Sequence, residues 1–164
     1  MKNLFLLRHA KSSWDNAALA DFDRPLSKRG ISNAILLSEH IQKHNITFDL
    51  VLSSPSERTQ STLDLVLSSL DHFPTTTLKE SIYHASPLSL IQLIKEQDDA
   101  INNLLIIGHN PGLHILTEQL TNQSIVKFPT CAFAKITNFY QWKDIDTGIL
   151  NLESLITPKE LNHD

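Results

Sequence analysis

Three short apolar runs, each closed by polar or charged residues, set the pattern of this chain. Leu4-Phe5-Leu6-Leu7 stops at Arg8-His9, Leu50-Val51-Leu52 at Ser53-Ser54-Pro55, and Leu104-Leu105-Ile106-Ile107 at Gly108-His109-Asn110-Pro111. Runs this short, without a turn residue inside, read as strands buried on both faces of a parallel sheet. Between them the apolar spacing becomes helical. Ile31, Ala34, Ile35, Leu37 and Ile41 predict a helix over 28–44 capped by Ser27, with Ser38 falling where another apolar residue is expected. Further helices are predicted over 55–70, from Pro87 through Leu90, Leu93 and Ile94, and after Pro111 through Leu113, Leu116 and Leu120. Proline suits a first helical position, where its fixed φ and missing N–H cost nothing. Residues 76–78 read as a short strand, 12–25 and 80–86 as loops, and 131–137 and 148–156 as strands of an antiparallel edge. The polar end, 157–164, reads as a frayed tail.

This alternation of strand and helix over 164 residues suits a single α/β domain spanning 1–164. A net charge of −4 lacks the basic footprint of a nucleic-acid binder, so no nucleic-acid partner is expected. No apolar run approaches the roughly 18 residues of a membrane span, and Met1-Lys2-Asn3 opens no long apolar signal segment. A cytoplasmic protein, expected to be a monomer, is the reading. The single cysteine, Cys131, rules out an internal disulfide and reads as a small buried residue.

Charge patterning changes the picture at the strand ends. Ligands of open α/β sheets bind at the carboxyl ends of the strands. The three runs deliver Arg8, His9 and His109 to that edge, together with Arg58 from the first turn of the following helix. Helix N-termini there add unpaired N–H groups, which favour an anion. Cations beside a neutral nitrogen nucleophile suit phosphate chemistry. His40, His44, His72, His114 and His163 read as surface or structural residues. The histidines lack the spacing of a zinc site and the arginines already meet an anion's charge, so neither metal nor cofactor is expected.

Arg8-His9-Ala10, Ser53-Ser54-Pro55 with Arg58-Thr59, and Gly108-His109-Asn110-Pro111-Gly112 together resemble the histidine phosphatase superfamily, also called phosphoglycerate mutase-like. The stretches Lys11-Ser12-Ser13-Trp14, Asp21-Phe22-Asp23-Arg24-Pro25-Leu26 and Lys28-Arg29-Gly30 resemble its small branch, which includes the SixA-type phosphohistidine phosphatases. The resemblance implies a three-layer α/β/α sandwich with a mostly parallel sheet. It also implies His9 as nucleophile, with Arg8, Arg58 and His109 completing the phosphate pocket. Ser12 and Asn110 stand as further substrate contacts, and Lys11 as a phosphate donor or a loop-shaping residue. Arg24 is open between a salt bridge within its loop and a place in the pocket. Trp14 is expected over the site entrance.

Phosphoryl transfer through a loose transition state is mostly positioning and charge stabilisation. Two guanidiniums can grip phosphoryl oxygens bidentately and stay charged at any working pH. His9 must be neutral to attack, and Arg8 and Arg58 should disfavour its protonated form. Larger members of the superfamily carry a glutamate that protonates the leaving oxygen. Here Glu80-Ser81-Ile82-Tyr83-His84 occupies that region, leaving His84 and Glu80 as weak candidate proton donors. The expectation is therefore a metal-independent phosphatase working through a phosphohistidine on His9, with a phosphorylated protein (phosphohistidine) as substrate. A small-molecule phosphomonoesterase and a noncatalytic phosphate-binding module are the alternatives.

Overall fold

Alternate residues of a strand point to opposite faces of its sheet, and the three apolar runs use both faces. Leu4 and Leu6 of the first run pack into one hydrophobic core, while Phe5 and Leu7 pack into another. A computed structural model describes residues 1–162. Its six-stranded sheet contains β1 (Asn3–Arg8), β2 (Leu50–Ser53), β3 (Thr75–Leu78), β4 (Asn103–Gly108), β5 (Phe133–Thr137) and β6 (Asn151–Ile156) in the order β3-β2-β4-β1-β5-β6. The pairs β3/β2, β2/β4 and β4/β1 are parallel; β1/β5 and β5/β6 are antiparallel. Helices α1 (Lys28–Lys43) and α2 (Glu57–Leu67) cover the face of Phe5 and Leu7. The other face is covered by α3 (Pro87–Lys95) and α4 (Gly112–Thr121). The result is the expected three-layer α/β/α sandwich with a mostly parallel sheet. No helix among the described residues is long and apolar enough to cross a membrane.

Several expectations shift for identifiable reasons. Ser38 lies buried within the apolar face of α1, its hydroxyl donating to Val66 O at 2.9 Å, so its polar group is satisfied against α2. Ile31 and Ile35, counted into that face by spacing, are instead 41% and 43% exposed. The helix expected over 55–70 begins only at Glu57, because Ser56 stays extended at ψ 151° as its N-cap. Cys131 belongs to a turn at φ 61°, with β5 starting two residues later. A 3₁₀ segment, Trp142–Thr147, was not anticipated; it buries Trp142 and Ile145 in the α3/α4 core. The tail does not simply fray: Pro158–Leu161 forms a short helix, α5, and Leu161 packs against the α1/α2 core. Residues 163 and 164 of that expectation lie outside the described residues.

Candidate active site

Adjacent parallel strands in register bring their ends together. Arg8 pairs with Gly108 and Ser53 with Ile107, so β1, β4 and β2 all stop at one edge. The next residues hold that alignment: His9 N–H donates to Gly108 O and Ser54 N–H to Ile107 O, both at 3.1 Å. Helix α2 then carries Arg58 back over the edge. Its Thr62 hydroxyl accepts from Ala10 N–H at 2.9 Å and donates to Arg58 O at 2.7 Å, tying the helix to the His9 loop. The strand ends open into a cleft of about 380 Å³ lined by Arg8, His9, Arg58 and His109.

His9 is buried, and its Nδ1 lies 2.7 Å from Ala10 O. A carbonyl only accepts, so Nδ1 carries the proton and Nε2 keeps its lone pair. Burial, then the charges of Arg58, Arg8 and Arg24, push its pKa down to about 4, although the Ala10 bond opposes the shift. Neutrality thus comes first from desolvation and only second from the arginines on which the sequence argument relied. His109 lies 5.2 Å from His9 ring to ring, and its pKa is pushed down to about 3 by burial, then by His9 and Arg58. Its Nε2 meets the Ser54 hydroxyl at 2.8 Å, a shorter contact than the 3.4 Å from that hydroxyl to Ser56. The His109 Nδ1 is buried without a partner, as is Nε of Arg8, although native proteins seldom bury unpaired polar atoms. Both residues line the one cleft with Arg24 and Arg58, and a cleft so rich in guanidinium donors suits an acceptor-rich anion.

The fork of Arg58 is held by Asp21, in a 3₁₀ turn over Asp21–Asp23. One amino group donates to Asp21 O at 2.7 Å and the other to its carboxylate at 3.1 Å. The same carboxylate accepts from Arg24 at 3.1 Å and from the Tyr83 hydroxyl at 2.5 Å. The Tyr83 hydrogen bond, then Arg58 and Arg24, hold the Asp21 carboxyl well below the usual range. Both open readings of Arg24 hold at once: it pairs with Asp21 and it lines the cleft. Sequence reasoning missed Asp21, Ser54 and Tyr83. The i, i+3 spacing of Asp21 and Arg24 was the one available signal for the first.

Of the other expected residues, Lys11, Ser12, Trp14, His84 and Asn110 all line the cleft. Ser12 Oγ accepts from Arg24 at 2.5 Å, and Asn110 donates its amide to Phe128 O at 2.7 Å. Glu80 is exposed and is not among the residues lining the cleft, so of the two candidate donors only His84 reaches it.

The family model for the histidine phosphatase superfamily, branch 1, matches residues 4–83, the stretch that carries Arg8, His9 and Arg58. An uncharacterized protein of Mycobacterium tuberculosis is 30% identical over 166 residues, covering 93% of this chain and all of the relative. The SixA protein of Agrobacterium tumefaciens superposes with a TM-score of 0.84 at 23% identity, over 96% of this chain and 98% of that one. The protein histidine phosphatase SixA in complex with tungstate gives a TM-score of 0.78 at 22% identity, over 97% and 99%. The chain belongs to the histidine phosphatase superfamily, and its fold is shared with the SixA structures.

Proposed function

We infer that this protein is a phosphatase that forms a phosphohistidine on His9 without a metal ion and takes protein-borne phosphohistidine as its substrate. The observation that carries the reading is the 2.7 Å contact from His9 Nδ1 to Ala10 O, which frees the Nε2 lone pair beside Arg8 and Arg58. Nε2 attacks phosphorus as the P–N bond of the substrate breaks. The bonding pair returns to the departing imidazole, which leaves neutral when its other ring nitrogen carries a proton. Water then attacks the phosphoenzyme, the bond to Nε2 breaks, and its pair restores the His9 lone pair while both protons of water leave with the phosphate as H2PO4−. Arg8, Arg58 and His109 meet the charge on the phosphoryl oxygens.

No carboxylic acid lines the cleft among the described residues; the carboxylate of Asp21, which pairs with Arg58 and Arg24, is held ionised by the Tyr83 hydrogen bond and the two guanidiniums. Expelling an alkoxide needs a proton donor, whereas imidazole, with a pKa of about 6.5, departs easily once protonated. This asymmetry favours phosphohistidine over sugar or serine phosphates. The test compares a phosphohistidine peptide, an aryl phosphate and a sugar phosphate, with and without chelator, in wild type and His9→Ala. Phosphohistidine should turn over fastest, chelator should change nothing, and His9→Ala should lose both turnover and acid-labile phosphoenzyme. Fast sugar-phosphate hydrolysis, chelator sensitivity or an active His9→Ala would each overturn part of the reading.

A further inference from the structure

The cleft mouth carries two exposed rings that the chemistry at His9 leaves unused. Trp14 is 75% exposed and lines the cleft, whereas tryptophan is highly buried on average. Its seat is firm. The Arg24 guanidinium lies 3.2 Å from the ring centroid, and Arg24 is itself buried and bonded to Ser12, Ser13 and Asp21. A fixed cation therefore covers part of the indole while the remainder stands open at the cleft.

The second ring is His84, also exposed and lining the same cleft. It sits at φ 58°, a left-handed conformation that a residue with a Cβ adopts at a cost and that clusters at functional sites. The turn lays its imidazole 4.0 Å from the Tyr83 ring and 6.1 Å from the His109 ring. One carboxylate joins the two seats. Asp21 accepts from Arg24, which supports Trp14, and from the hydroxyl of Tyr83, which supports His84. Asp21 also holds Arg58, so both rings are fixed relative to the phosphate grip. Phosphoryl oxygens need neither ring; a flat group attached to the phosphorus would use both.

We propose that Trp14 and His84 form a subsite for a planar leaving group, so that the protein selects phosphoryl groups borne on a ring over those borne on an aliphatic atom. The proposal rests on the phosphatase reading of His9 and names the class of substrate that site takes: an imidazole-borne or aryl-borne phosphoryl group. A ring stacked on the indole is held before and during transfer alike, so the selection falls on KM more than on kcat.

The experiment pairs donors that differ in the ring. A phosphohistidine peptide is set against a phospholysine peptide, and phenyl phosphate against acetyl phosphate, for wild type, Trp14→Ala, Trp14→Phe and His84→Ala. The ratio of kcat/KM for ring-borne over ring-free donors should fall about three- to tenfold in Trp14→Ala, the worth of an aromatic pair, with the change carried by KM. Trp14→Phe should restore most of it, and His84→Ala should lower the same ratio. A fall common to every donor, or an unchanged ratio, overturns the subsite. Inhibition by phenylphosphonate against methylphosphonate reads the preference without turnover. A preference for phenylphosphonate that Trp14→Ala erases, in a protein forming no phosphoenzyme on His9, would support the subsite and sink the phosphatase reading. No such preference in the wild type would sink the subsite.

Discussion

Lowering the pH from 7 to 5 should cost this protein about 4 kcal/mol of stability through His9 and His109 alone. Both are held neutral by burial, with pKa values pushed down to about 4 and about 3, against 6.5 for a free histidine. Because the folded values lie below the unfolded one, the unfolded chain takes up the protons first. Stability is therefore intact above about pH 6.5 and falls as the pH drops toward the folded values. At pH 5 each imidazole is about thirtyfold more protonated than neutral in the unfolded chain and still largely neutral in the fold, worth about 2 kcal/mol per residue. The measurement is urea unfolding at pH 7 and pH 5 for wild type and His9→Asn. The variant should lose about 2 kcal/mol less over that interval, since one of the two proton-linked groups is gone. Histidines elsewhere act equally in both proteins and cancel. In parallel, the His9 and His109 ring signals in NMR should stay in the neutral form down to pH 5. Equal losses in wild type and variant, or either ring titrating near pH 6.5, would refute the assignment of buried neutral imidazoles.

Two further outcomes follow from the geometry. Arg58→Ala should lower kcat/KM by about 10²–10³ fold, comparable to the loss of one transition-state donor. Arg58→Lys should recover only part, because a point charge cannot both sit on Asp21 and present a fork to phosphate; full activity in Arg58→Lys would show that only charge matters there. Gly30→Ala should destabilise by about 1–3 kcal/mol by urea unfolding, although the same swap usually helps a helix by about 0.5–1 kcal/mol. A Cβ at Gly30 would stand 2.1 Å from Lys11 O, a backbone atom that cannot swing away. A more stable Gly30→Ala would mean that α1 does not rest on the His9 loop as described.

The local pattern was enough to place most elements and to bring Arg8, His9, Arg58 and His109 to one cleft. A strand buried on both faces must be apolar throughout and can turn polar only where it leaves the sheet. Arg8-His9, Ser53-Ser54 and Gly108-His109 therefore announced three strand ends, and the parallel order put those ends side by side. Ser27 caps α1 as expected, and α3 starts at Pro87 as expected, with Ser86 supplying a cap that was not foreseen. The start of α2 was less legible, because Pro55 suits a first helical position yet here precedes the extended N-cap Ser56.

What sequence could not supply is which polar groups meet across the fold. Asp21 and Asp23 are equivalent acids in one short loop, yet only the packing of that loop against α2 and Tyr83 gives Asp21 the Arg58 guanidinium and a phenol. Glu80 and His84 stood as equal candidates four residues apart, and the left-handed turn at His84 is what sends one ring to the cleft while Glu80 stays outside its lining. The neutrality of His9 was foreseen from its arginine neighbours, but its largest source is the loss of water around the ring. The chain by itself determined hydrophobic period, strand ends and residue chemistry, because those depend on neighbours a few positions away. Burial and the partners met across the fold, such as Arg58 for Asp21 and Ser54 for His109, belonged to the tertiary structure, because they depend on atoms tens of residues distant in sequence that only close packing brings within hydrogen-bonding reach.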